Sequence, residues 1–240
     1  MEDDNPLSFN FWPSFADIML ALVLVLCLAL FLVAAVITLG TVNLKEVEAN
    51  QMNMINSIAA DYQVPPRQLP DGTYGIYFNN SSIPDIEIHN DLNAQRITFS
   101  DKILFEPDRV ELKPAGVQVL TVVGQQLRTQ LGFIKEIQIQ GHADTSPSQR
   151  YRSNVELAAN RAIAVFDFLQ DKNKVGIDPA AHLMSVTSFG EYNSVQRTLD
   201  DTAYSLTKLQ ADNDTEDLRR RNRRIELVLL YRRGPDSDRR

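Results

Sequence analysis

Ile18 to Leu39 is a run of 22 residues with no charge, and Thr38 is its only polar side chain. As an α-helix it is about 33 Å long, enough to cross the hydrocarbon core of a bilayer. A cleaved signal peptide has a basic start, a shorter apolar run and a small-residue cleavage site. This chain starts with Glu2, Asp3 and Asp4, and its run is longer, so the segment reads as an uncleaved signal anchor. Phe9, Phe11 and Trp12 precede it where an interfacial aromatic belt would sit. No Lys or Arg occurs before Lys45, so the positive-inside rule gives no support for a cytoplasmic N-terminus.

The rest of the 240-residue chain has the composition of a protein that folds in water, in one or two domains. Collagen, low-complexity and disulfide-scaffold classes are excluded. A single cysteine, Cys27, cannot form an intrachain disulfide, and three dispersed histidines (His89, His142, His182) argue against a structural zinc site. The net charge of −7 argues against general nucleic-acid binding. No nucleophile–base pair stands out, so neither an enzyme nor a cofactor is expected.

Asp17 stands at the edge of the apolar run, and two readings of it compete. In one it caps the helix, stabilised by free N–H groups and the helix dipole. In the other the helix begins near Pro13, a favoured first-turn residue, and Asp17 lies about one turn inside. A carboxylate there is costly to keep charged and can exchange protons. Its helical face continues through Leu20, Ala21, Leu24, Leu28, Phe31 and Ala35. With no relay of its own, such a proton site requires a partner with polar groups in its helices.

Leu44, Val47, Gln51, Met54 and Ile58 alternate by three and four, a short heptad register with one polar intrusion. It reads either as a dimer-pairing segment or as an amphipathic surface helix. Pro65, Pro66, Pro70 and Asp71-Gly72 end it. Thr73–Phe78 and Ile86–His89 read as short strands around Asn79-Asn80-Ser81-Ser82. The organisation is therefore an N-terminus (1–12), a membrane helix (13–42), a helical linker or dimerisation segment (43–70), lead-in strands (71–95), a folded domain (96–232) and a basic tail (233–240).

In the folded domain Ile97–Phe99 and Ile103–Phe105 are expected to be extended. Pro114 starts a helix to about Leu131, with Val117, Leu120, Val123 and Leu127 on its apolar face. Lys135–Gln140 alternates as a half-buried strand, and Asn154–Leu169 is helical. Leu183–Phe189 and Ile225–Tyr231 are further strands. The fold class is α+β: one transmembrane helix, a helical linker, then a two-layer α/β sandwich.

Five motifs carry a resemblance. Phe99-Ser100 with Leu104-Phe105-Glu106-Pro107 and Glu111-Leu112-Lys113-Pro114-Ala115-Gly116 looks like the start of an OmpA-like peptidoglycan-binding domain. Gly141-His142-Ala143-Asp144 resembles its GHTD turn, and Asn154–Ala162 its NxxLSxxRA helix. Phe189-Gly190-Glu191 resembles its GxGE loop, and Asn222–Leu227 its NRRVE strand. The opening of the span, Phe15-Ala16-Asp17-Ile18-Met19 after Pro13-Ser14, resembles MotB-type subunits of ion-driven motors. The resemblance implies that Asp17 binds protons, and that Asp144 and Arg161 are the pair that holds the diaminopimelate stem of peptidoglycan. It places His142, Asn154, Leu157 and Arg223 in or behind the same groove. It also implies a homodimer, a polytopic MotA-like partner, a cytoplasmic N-terminus and a periplasmic domain.

Departures from the pattern are Ala143 for Thr, Ala158 for Ser, no Gly after Asp144, and a longer loop before Asn154. Tyr192–Leu218 is a long, polar connection whose role is not readable. Nine arginines crowd 219–240. Part of them belongs to the NRRVE-like motif and the rest reads as a solvated tail, not a nucleic-acid site. The acidic start and Asp17-Ile18-Met19-Leu20 favour the Zorya anti-phage type, with a ZorA-type partner, over a flagellar stator subunit. A passive inner-membrane tether to the wall is the competing class.

Overall fold

The computed structural model describes residues 11–78, 83–198 and 204–232. The Asn79–Ser82 turn and the 233–240 tail lie outside them. Helix α1 spans Trp12–Asp61 without a break, so the expected membrane helix and linker helix are one element. Its Trp12–Thr38 part is long and apolar enough to cross a membrane, with a mean hydropathy of 3.4. The chain divides into two units at Lys45/Glu46. The end of α1 therefore belongs with the folded domain.

That end corrects the pairing segment. Val47, Met54, Ile55, Ile58 and Ala59 are buried in the core of the chain's own domain, while Leu44 remains 41% exposed. The polar intrusion, Gln51, is buried as well. Its Nε2 donates to the carbonyls of Asp91 and Ala94 (2.8 and 2.9 Å), and its own carbonyl accepts from Gln95 Nε2 (2.9 Å). The face read as a seam between chains is occupied intramolecularly, because it completes an apolar layer that the sheet would otherwise expose. After Asp61 the chain turns through Gln63, at φ +56°, into Pro65-Pro66.

The domain is a seven-stranded sheet in the order β1-β2-β3-β4-β7-β5-β6. Its strands are β1 (Arg67–Gln68), β2 (Tyr74–Ile76), β3 (Ile86–Asn90), β4 (Ala94–Ser100), β5 (Ile134–His142), β6 (Leu183–Gly190) and β7 (Arg224–Tyr231). The lead-in strands are thus part of the same sheet, with β2–β3 and β3–β4 antiparallel (Tyr74↔Ile88, Ile88↔Ile97). β7 lies between β4 and β5 and is antiparallel to both, while β5 and β6 are parallel. A parallel pair needs a crossover, which contains α4 (Asn154–Gln170). Ser153 caps α4, its Oγ accepting from the Glu156 amide (3.2 Å).

Two local expectations are corrected. Ile103-Leu104-Phe105 is not extended: Asp101–Leu104 forms a short helix, α2, and Phe105 pairs only as a bridge with Leu112. The turn lets adjacent Leu104 and Phe105 both enter the core, which the alternation of a strand forbids. In α3 (Pro114–Gln130), Val117 is 38% exposed while Val119 is buried. Gly116 and Gly124 bring the α3 backbone against Leu104 and Val175, rotating the buried stripe away from Val117.

The 192–218 connection is partly helical, as expected, with α5 (Leu206–Ala211) and the start of α6 (Glu216–Asn222). It is tied down by a buried polar knot. Ser194 Oγ and Tyr204 OH both donate to Asp212 Oδ2 (2.7 and 2.6 Å). Asn222 Nδ2 donates to the Asp212 carbonyl, and Asn222 Oδ1 accepts from the Val195 amide (both 2.9 Å).

Candidate functional site

The end of β5, the start of α4, the turn α2 and the end of α6 surround a cleft of about 700 Å³. Five of the six expected residues, Asp144, Asn154, Leu157, Arg161 and Arg223, line it. Two motif glycines set its shape. A Cβ at Gly141 would lie 2.1 Å from the Ala158 carbonyl oxygen, so only glycine lets β5 pass this close to α4. Gly190, at φ +53°, backs against Val155 in the same way.

Arg161 and Asp144 do not pair with each other. Arg161 is 2% exposed, and its Nη1 meets Asp101 Oδ2 at 3.1 Å. Its Nε donates to the Arg109 carbonyl (2.9 Å) and Nη2 to that of Glu106 (3.3 Å), with the Phe105 ring 5.2 Å away. Asp144 is ion-paired with Arg223 Nη1, and its Oδ1 accepts from the Ser146 amide (2.9 Å). Arg223 Nε lies 3.7 Å from Asp101, and its Nη2 donates to Glu216 at 2.7 Å. The result is a row of alternating sign: Arg161, Asp101, Arg223, Asp144. Asn154 braces it, donating to the Asp144 carbonyl (2.9 Å) and accepting from the Ser148 amide (3.2 Å).

The electrostatics follow from burial and neighbours. Burial pushes the Asp101 carboxyl above its usual range, and the two guanidinium groups beside it pull it back. Burial disfavours the Arg223 cation, but Glu216 and Asp144 outweigh this and hold it above its ordinary value. The Arg223 hydrogen bond, then that of Arg219, keeps Glu216 below the usual carboxylate range.

His142 is corrected. It is 1% exposed, stacks on Phe189 (5.0 Å between centroids), lies 3.7 Å from Glu226 and does not line the cleft. Burial first, then the Arg224 charge, lowers its pKa to about 3, so it is a neutral core residue. It stands two residues before Asp144 in the motif, but β5 ends at His142 and its register shifts between Gly141 and His142, so the regular alternation that would put the two on one face does not extend to Asp144.

Asp101 was missed by sequence reasoning and is central. A signal existed: an acid flanked by apolar pairs that enter the core, Ile97 and Phe99 before it and Leu104 and Phe105 after it, needs a buried cation. At the other end of the chain, α1 starts at Trp12 with no acid in its first turn. Asp17 therefore sits beyond the first turn and caps nothing.

The chain belongs to the OmpA family, whose model matches residues 104–223, half of its length. Outer membrane protein A of Bordetella avium is 29% identical over 137 residues, covering 57% of this chain and 58% of that protein. Motility protein B of Bacillus subtilis (strain 168) is 25% identical over 144 residues, covering 59% and 47%. The chain spans about half the length of these curated relatives. The fold is shared with a putative MotB-like protein from Desulfovibrio vulgaris (TM-score 0.55, 22% identity, 78% of this chain and 98% of that one). It is also shared with the periplasmic domain of Helicobacter pylori MotB (TM-score 0.50, 18% identity, 69% and 87%).

Proposed function

We propose that this chain is the wall-anchored subunit of a proton-driven inner-membrane motor of the MotA/MotB kind, working in Zorya-type anti-phage defence. The carrying observation is that one chain joins a carboxylate beyond the first turn of an apolar helix to an OmpA-family cleft with a row of alternating charges. The N-terminus is cytoplasmic and the domain periplasmic. Two copies stand within a ring of polytopic MotA-like subunits.

At the wall, a diaminopimelate stem presents a carboxylate beside an ammonium. Arg161 receives the carboxylate with two parallel hydrogen bonds, and Asp144 accepts from the ammonium. Arg223 and Asp101 are displaced from these partners as the ligand enters, and retain each other. At the membrane, protonation of Asp17 removes a charge from the interface with the partner and changes which arrangement is favoured. The wall grip stops this subunit from turning, so the ring moves around it.

Asp17→Asn tests the motor, since Asn resembles Asp in shape and cannot titrate. Expression and wall binding should be normal and phage protection lost; full protection rejects the motor reading. For the wall, co-sedimentation of the full-length protein with purified sacculi should fall at least tenfold for Asp144→Asn and for Arg161→Lys. Unchanged sedimentation of both rejects the cleft. The kinship with a motility protein favours a second setting, flagellar propulsion, which restored swimming in stator-deficient cells would support.

A further inference from the structure

A second cleft, of about 230 Å³, opens on the sheet face turned away from the hydrophobic core. On β4 the core takes Gln95, Ile97 and Phe99, and the alternate residues Arg96 and Thr98 face this cleft. The opposite wall comes from Asn193, Ser194, Val195 and Arg197 in the 192–218 connection and from Arg220 and Arg221 at the end of α6. The Asp212 knot fixes that wall in place.

Among the described residues five arginines and three carboxylates line the cleft, a surplus of two positive charges. Arg96 and Arg224 share a single carboxylate, Glu226 (3.1 and 2.6 Å). Arg220 is paired with Asp217 at 3.0 Å. Arg197 donates to the Tyr192 carbonyl (2.5 Å) and lies 4.3 Å from the Tyr204 ring, with no carboxylate partner among the described residues. Arg221 makes no hydrogen bond or ion pair among the described residues, although it acts electrostatically on Glu87. Of the other two carboxylates, Asp85 accepts from the Phe78 amide (2.8 Å). Burial pushes the Glu87 carboxyl above its usual range.

We propose that this cleft binds a phosphate group, as the free ion or as a small phosphomonoester, with Arg96, Arg197 and Arg221 as its anchors. Guanidinium forks match phosphate oxygens, and a surplus of two is met by a dianion. A monocarboxylate would leave one cation unbalanced. The site shares only Arg220 with the lining of the cleft assigned to the wall, none of its three anchors lines that cleft, and it does not depend on that reading.

The test is a titration of the purified full-length chain in detergent, followed by phosphorus NMR, with inorganic phosphate in one arm and glycerol 1-phosphate in the other. One saturable site per chain is expected in at least one arm, and the tighter arm identifies the source. Acetate should compete only at tenfold or higher concentration. Arg221→Gln and Arg197→Gln should each weaken binding at least tenfold while sedimentation with sacculi stays at the wild-type level. Absence of saturation in both arms overturns the proposal. So does unchanged affinity in both folded variants, or competition by acetate at equal concentration. Asp144→Asn, which should impair wall binding, should leave phosphate binding intact.

Discussion

The two stretches of α1 share one backbone and obey opposite rules. From Trp12 to Thr38 the large apolar side chains are exposed around the whole circumference. From Glu46 to Asp61 the apolar residues lie on one side and are covered by the domain. All-round apolarity calls for lipid, whereas a one-sided stripe calls for protein. The lesson is that the angular distribution of apolar residues around a helix, more than their number, tells which solvent it was built for.

The sharpest way to break this comparison is to cut within it. A domain fragment starting at residue 71 lacks Val47, Met54, Ile55, Ile58 and Ala59 from its core. At about 1.5–3 kcal/mol for each large buried apolar side chain, the loss rivals the whole stability of a typical domain. The fragment should be unfolded or aggregated by circular dichroism, and one starting at Glu46 should fold. Equal stability of the two would show that the end of α1 is an accessory.

Single substitutions come next. Met54→Ala should cost about 2–5 kcal/mol in urea unfolding of the domain, and Leu24→Ala in the span close to nothing. Acidification should also separate the two stretches. His142 is neutral when folded, with a pKa near 3, against an ordinary value of 6.5. The unfolded state takes up the proton first, so this contribution is complete above pH 6.5 and is lost as the pH falls towards 3. Between pH 7 and 5 the loss is about 2 kcal/mol. The domain's urea midpoint should fall accordingly, less so in His142→Phe, while the helicity of the span is unchanged. Smallest is Gln51→Leu, which takes the side-chain donor from two carbonyls and should cost about 1 kcal/mol by the same measurement.

Much of this was legible in the sequence for physical reasons. Alternation in Lys135–Gln140, Pro114 at a helix start and the unbroken Ile18–Leu39 run each map one pattern onto one structure. The register Leu44, Val47, Gln51, Met54, Ile58 does not, because a seam between two chains and a helix laid on its own sheet use the same spacing. Ile55 and Ala59 widen the stripe beyond a coiled-coil seam, and that width was the available clue. At the site, motif spacing located Arg161 and Asp144 but could not reveal their partners. Pairing with Asp101 depends on the α2 turn, a tertiary choice that draws Leu104 and Phe105 inward. His142 was misplaced because a motif names neighbours in sequence, while the strand ends between His142 and Asp144 and sends one side chain into the core and the other into the cleft.

The alternating row Arg161, Asp101, Arg223, Asp144 bears on selectivity. Within the cleft every charge of this row has an opposite neighbour, so the site offers little long-range attraction to stray ions. A visitor with one charge can take only one end of the row, and leaves a desolvated residue at the other end without its counterpart. A ligand that carries both signs at the right separation replaces both partners at once. The cleft thus behaves like a lock with two pins: lifting either alone leaves it shut, and salt, acetate or a free amine should be poor keys.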